Sequence, residues 1–204
     1  MPRGDRRKGV LGHHDDHGQD MAEEQVSVAE SPNETPAQEP TRVLIPSALG
    51  SLGIEFRDTT VTSLTIVPDR ARRKRFTLLK DIERSDFLDE ALGRLSEYFA
   101  GARQNLDLDF DLGPAGLDAL TRTVLQETSK IPYGSTMTYQ KLAAAAGAPD
   151  AYRLVRSMLM INPLPIFIPC HRVAPRKGGA GSYIGGTKKK QWLLKLEQRG
   201  VKPL

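Results

Sequence analysis

A chain of 204 residues with 39% hydrophobic content has room for one large or two small domains and enough apolar surface to build a core. No stretch approaches the roughly 20 apolar residues of a membrane span, and the opening MPRGDRRKGVLGHHDDHGQD lacks the apolar run of a secretory signal, so a cytoplasmic protein is expected, or a nuclear one in a eukaryote. The net charge of +4 hides an asymmetry: residues 1–41 hold 4 basic and 9 acidic groups, leaving 25 of 29 basic and 16 of 25 acidic residues to 42–204, a net of +9 that favours a polyanionic partner.

Residues 1–41 are polar, rich in Asp, Glu, Gln and Pro, and without helical or strand periodicity, which reads as a disordered tail. Its His13, His14, Asp15, Asp16 and His17 run is the kind of cluster flexible tails carry without a specific metal. Residues 42–112 read as a small α/β domain, with β-rich runs at Gly53 to Arg57 and Val61 to Val67. A helix follows from about Asp86 to Ala100, placing Phe87, Leu88, Ala91, Leu92, Leu95, Tyr98 and Phe99 on one side. Between them Arg70 to Phe76, RARRKRF, reads as an exposed basic loop.

Residues 113–204 read as a mainly helical domain. Pro114 suits a first turn, Leu117, Leu120, Val124 and Leu125 make an apolar face, and Ile131-Pro-Tyr-Gly134 ends the helix. Thr138 is the expected N-cap of a helix from Tyr139 to Ala146, and Gly147 its stop. A further helix runs from about Ala151 to Met160 before Asn162-Pro163 breaks it. Two short helices around a tight Gly-containing turn have the pattern of a helix-turn-helix, with the second as recognition helix, although such pairs also serve as plain packing units.

Leu164 to Ile168 is expected to be a buried extended run that delivers Cys170, the only cysteine, to its end. A single cysteine excludes an internal disulfide, a CxxC redox pair and a cysteine-rich zinc site. His171 and Arg172 beside it are the neighbours that favour a thiolate, yet a lone cysteine after an apolar run is usually a structural residue. The residues by themselves leave both readings open.

The stretch from Ile131 to Gly200 resembles the O6-alkylguanine-DNA alkyltransferases. The resemblance rests on Ile131-Pro-Tyr-Gly, Thr138-Tyr-Gln-Lys-Leu-Ala, Arg153, Asn162-Pro, Ile168-Pro-Cys-His-Arg-Val, Gly181-Ser-Tyr-Ile-Gly-Gly and Trp192-Leu-Leu-Lys-Leu-Glu197, in order and at the family's spacing. It implies an α/β N-terminal domain followed by a mainly helical domain with a helix-turn-helix. It also implies a repair protein that moves a methyl or other alkyl group from O6-alkylguanine in duplex DNA onto Cys170 and is consumed after one turnover. On this resemblance His171 is the base, acting through a water, Glu197 orients it, and Tyr139 donates a hydrogen bond to the purine. Val173, Tyr183, Ile184, Arg172 and Asn162 surround the substrate, Asn162 as a hinge. Arg153 fills the space left by a flipped nucleotide while the helix lies in the minor groove. No cofactor and no metal are implied, and a monomer is expected. Ile184 stands where relatives often carry a small polar residue, so only its backbone N–H can serve O6.

Three other readings compete. A non-catalytic lesion binder would lack the cysteine that is present here. A transcription regulator built on the helix-turn-helix would need a further domain that residues 1–41 are too polar to form. A cysteine hydrolase would need an oxyanion-hole segment, which nothing here resembles.

Overall fold

The computed structural model describes residues 39–68 and 75–200. The expected tail up to residue 38, its histidine-rich run and most of the RARRKRF loop (69–74) lie outside the described residues. β1 (Thr41–Ser47), β2 (Gly50–Arg57) and β3 (Thr60–Val67) form an antiparallel meander, and β4 (Thr77–Leu78) joins β1 in parallel, giving the order β3-β2-β1-β4. The reading of the sequence marked β2 and β3 but placed no strand at β1. The β2–β3 connection is a two-residue turn with Asp58 at φ 49°, the left-handed conformation that Asp tolerates.

Alternation then sorts β2. Leu52, Ile54 and Phe56 are buried on one face, while Gly53 on the other admits the Phe76 ring, which occupies the space a Cβ would need. Against the first face packs α1 (Asp86–Phe99). It is capped by Ser85, whose side chain accepts from the Leu88 N–H, and it buries Phe87, Leu88, Ala91, Leu95 and Tyr98 at helical spacing. The outer edge of β3 is covered: Val61 N–H bonds the Asp109 carbonyl at 2.9 Å and Leu64 N–H the Pro163 carbonyl at 2.8 Å. That second bond ties the sheet to the strap leading to Cys170.

Pro114 does not open a long helix. It sits in a 3-10 turn (Gly113–Ala115) stopped by Gly116 at φ 59°, and α2 (Ala119–Ser129) starts only after Asp118, whose carboxylate takes the Thr121 N–H at 2.9 Å. α3 (Tyr139–Ala145) has Thr138 as its cap, and Gly147 at φ 73° turns the chain beyond it. A 3-10 turn (Pro149–Ala151) leads into α4 (Tyr152–Met160), and α2, α3 and α4 pack on one another.

Leu164 to Ile168 is buried but not extended. Ile168 N–H closes onto the Leu164 carbonyl at 2.8 Å with Ile166 at φ 80°. Pro163, Pro165 and Pro169 lack the N–H groups a strand needs, and the Asn162 Oδ1 takes the Leu164 N–H at 3.0 Å, which starts a turn. Cys170–Arg172 follow as a 3-10 turn. β5 (Met137–Thr138) then pairs in parallel with β6 (Val173–Ala174), fixing the start of α3 beside the cysteine turn. α5 (Thr187–Gly200) closes the described chain, burying Lys190, Leu193 and Glu197 on one face. One continuous hydrophobic core runs from Ile54 through Tyr98 to Leu142, Cys170 and Leu193. No helix among the described residues is long and apolar enough to cross a membrane.

Candidate active site

Cys170 is 3% exposed, and its thiol sulfur accepts a hydrogen bond from Asn162 Nδ2 at 3.2 Å. The same Nδ2 donates to the Ile168 carbonyl at 2.9 Å, so one buried amide stitches the proline-rich turn and the thiol together. Burial pushes the thiol up to about 11, against the pull of the Asn162 hydrogen bond and the Lys190 charge. At neutral pH Cys170 rests as a protonated thiol.

Next to it, His171 is fully buried, and burial holds its imidazole below the ordinary value although Glu197 acts in the other direction. The ring is therefore neutral at pH 7. Its Nε2 lies 2.8 Å from Glu197 Oε1. A carboxylate only accepts, so Nε2 carries the proton and Nδ1 is left with its lone pair and no protein partner. This is the tautomer of a base waiting for a proton.

Glu197, 0% exposed, is the hub. Besides His171 it accepts from the Tyr98 hydroxyl at 2.7 Å, from Arg172 Nε and Nη2 at 3.0 and 2.9 Å, and from the Gly134 N–H at 3.1 Å. Burial by itself raises a carboxyl pKa, but the hydrogen bonds from His171 and Arg172 overcome it and bring Glu197 down to about 2. Arg172 also donates to the Ile131 carbonyl at 2.6 Å and lies over the Tyr133 ring.

Lys190, also 0% exposed, donates to the carbonyls of Val173 and, at 3.1 Å, Ser182. Among the described residues it has no carboxylate partner, and burial lowers its pKa to about 8 while the cysteine raises it. It ties the glycine-rich loop (178–186) to β6, immediately after the cysteine turn.

Outside this cluster opens a cleft of about 490 Å³, lined by Tyr139, Tyr152, Arg153, Arg156, Arg176 and Lys177 among others, none of them acidic. Tyr139 connects cleft and cluster. Its phenol is raised by burial and also by the nearby Cys170, and is lowered by Arg156 and by the Ser182 backbone. Gly181, at φ 72°, sits so close that a Cβ there would stand 3.0 Å from the Tyr139 hydroxyl and 2.9 Å from Pro175 Cδ. No group of three or more His, Cys, Asp or Glu among the described residues is placed to hold a metal ion.

A family profile described as "6-O-methylguanine DNA methyltransferase, DNA binding domain" matches residues 119–199. The methylated-DNA–protein-cysteine methyltransferase of Methanosarcina barkeri is 39% identical over 131 residues, 64% of this chain and 81% of that one. Its counterpart from Mycolicibacterium paratuberculosis is 34% identical over 155 residues, 76% and 90% of the two chains. The chain belongs to the methylated-DNA–protein-cysteine methyltransferase family. A crystal structure of Mycobacterium tuberculosis OGT in complex with DNA matches with a TM-score of 0.68 at 30% identity, covering 78% of this chain and 94% of that one.

Within this methyltransferase fold the residues singled out from sequence fall into two groups. Cys170, His171, Glu197 and Asn162 meet in the buried cluster, and Tyr139 and Arg153 share the cleft. Arg172, expected at the substrate, is instead turned inward. A guanidinium that is buried needs an anion and a carbonyl, and it takes Glu197 and Ile131. Asn162 likewise touches the thiol and its own turn. Tyr183 is buried with its ring edge-on to His171, centroids 6.1 Å apart, so it supports the imidazole. The Val173 side chain is in the core, and Ile184 is exposed.

Three members of the cluster escaped sequence reading. Tyr98 was one aromatic among several on the apolar face of α1. Gly134 acts through its backbone. Lys190 sat inside a lysine run that looks solvated, and only the spacing of Lys190, Leu193 and Glu197, three and then four apart, reveals that it shares the buried stripe.

Proposed function

We propose that this methyltransferase repairs DNA by moving the alkyl group of O6-alkylguanine in duplex DNA onto Cys170, once per protein molecule. The observation that carries the reading is the neutral imidazole of His171, its Nε2–H donating to Glu197 and its Nδ1 without a protein partner, next in sequence to the only cysteine of the chain. Through one water, Nδ1 takes the thiol proton, and Glu197 supports the imidazolium that results. The thiolate attacks the alkyl carbon, the S–C bond forms as C–O6 breaks, and the electron pair leaves with guanine. A hydrogen bond from Tyr139 stabilises the guanine anion until it takes up a proton, and the Ile184 N–H serves O6. The thioether has no leaving group comparable to guanine, and with one cysteine in the sequence there is no second thiol to remove the alkyl group.

Because the reacting carbon is stacked inside a duplex, the nucleotide has to be turned out, at a cost of a few kcal/mol. In our reading α3 and α4 form a helix-turn-helix, α4 lies in the minor groove, and Arg153 fills the vacated place in the stack. The non-acidic lining of the Tyr139 cleft supports this orientation. The protein acts as a monomer.

The test is incubation with a duplex bearing a single isotope-labelled O6-methylguanine, followed by mass spectrometry of the digest. One methyl group on the Cys170 peptide and one guanine restored per protein is the expected result. Label on another residue, or several guanines restored per protein, overturns the proposal.

A further inference from the structure

The face that α4 turns to solvent is divided lengthwise. Val155 and Leu159 point into the core. On one flank of the outer face stand Arg153 and Arg156, which line the Tyr139 cleft with Arg176 and Lys177. On the other flank Leu154 is 57% exposed, Ile161, the residue closing the helix, is 56% exposed, and Met158 between them is half-buried. Leu154 and Ile161 are seven residues, or two turns, apart, so they stand in line over roughly 10 Å. That is about three base-pair steps at 3.4 Å each. Phosphate contacts alone do not call for exposed leucine and isoleucine, and an apolar line rimmed by charge marks a contact surface.

We propose that Leu154 and Ile161 form an apolar wedge that enters the DNA beside the flipped nucleotide, partly unstacking base steps and bending the duplex. The inference rests on the reading that α4 docks on DNA. Leu, Ile and Met are the side chains that minor-groove architectural proteins insert between base steps. Charge complementarity selects nucleic acid as the occupant: a second copy of this chain would bring the same four cations, with no acidic group in the cleft, against its own image. The two flanks then divide the labour: Arg153 fills the vacated place, Arg156 holds phosphates with Arg176 and Lys177, and the apolar line deforms the adjoining base steps.

The experiment compares the wild type with the Leu154→Ala/Ile161→Ala double variant and the Arg156→Ala/Arg176→Ala double variant on an undamaged duplex carrying a fluorophore at each end. Both apolar positions are exposed, so the melting temperature of the first variant stays with the wild type, and circular dichroism verifies the fold. The wild type bends the duplex by about 20° or more. The apolar variant keeps the salt dependence of binding, loses the bend, and binds about tenfold more weakly. The arginine variant loses about two from the slope of log affinity against log salt. If the arginine variant behaves in this way while the apolar variant bends and binds like the wild type, the wedge is refuted and the docking of α4 stands. If neither variant changes affinity or slope, the docking reading fails and the wedge with it. A wild type that sediments as a dimer, dissociated by the apolar change with DNA binding untouched, also overturns the wedge in favour of self-association.

Discussion

Glu197→Gln removes one charge from a carboxylate that four residues address, and its cost can be worked from the geometry. The pKa falls from the ordinary 4.5 to about 2, which at about 1.4 kcal/mol per pH unit corresponds to about 3 kcal/mol of stability. A carboxyl depressed on folding contributes fully above pH 4.5 and loses its contribution as pH falls toward 2. In the variant Arg172 stays buried without an anion, and the penalty for breaking such a pair is about 3 to 5 kcal/mol at pH 7. Urea unfolding of both proteins at pH 7, 5 and 3 reads this directly. The gap is widest at pH 7 and narrows between pH 5 and 3, because only the wild type has a carboxylate left to protonate. The functional arm is the rate of methyl transfer, expected to drop about 10- to 100-fold because the imidazolium loses its support. A gap below about 1 kcal/mol at pH 7, or one that stays constant down to pH 3, would refute the hub role argued for Glu197.

Asn162→Ala deletes three buried hydrogen bonds, to Ile168, Leu164 and the thiol, and is expected to cost about 2 to 4 kcal/mol in urea unfolding. It also slows transfer, since the thiol loses a donor that favours its anion; a normal rate would exclude Asn162 from activation. Lys190, lowered from 10.5 to about 8, binds its proton less tightly folded than unfolded. Lys190 therefore adds up to about 3 kcal/mol to stability between pH 8 and 10.5, read as the widening difference between wild type and Lys190→Met, because the Cys170 thiol acts in the opposite sense above pH 9; transfer slows in the variant. A difference that stays flat over that range removes the argument. Gly181→Ala forces a Cβ against Pro175 and the Tyr139 hydroxyl at φ 72°, so it lowers the melting temperature by the equivalent of about 1 to 3 kcal/mol and slows repair. Unchanged melting and repair would show that the contact is not tight.

What the residues announced and what they concealed follows a physical division. Local signals survived: Thr138 caps α3, Gly147 turns the chain after it, and the apolar spacing of α1 matches its buried face. Signals that depend on competition between neighbours misled. Pro114 suits a helix start, but Gly116 in the left-handed conformation and the Asp118 cap decide where α2 begins. Ile166-Phe167-Ile168 has strand composition, but three flanking prolines and the Asn162 side chain fold it into a turn. In the site, Cys170 alone pointed to core filler before nucleophile, and only the family resemblance reversed that and paired it with Glu197, 27 positions later in the sequence. Side-chain direction was not legible at all, which is why Arg172 was aimed at substrate and Lys190 was not singled out.

The depth at which the thiol lies sets how long the protein can wait. A molecule spent in one reaction has to remain unspent until a lesion arrives, and oxidants and stray electrophiles take thiolates that they can reach. Cys170, 3% exposed and with its pKa raised to about 11, offers such reagents neither charge nor access. What the packing around it provides is shelf life: the reagent is stored in an inert form, and in the mechanism we propose Nδ1 of His171, buried without a protein partner, is where it is armed.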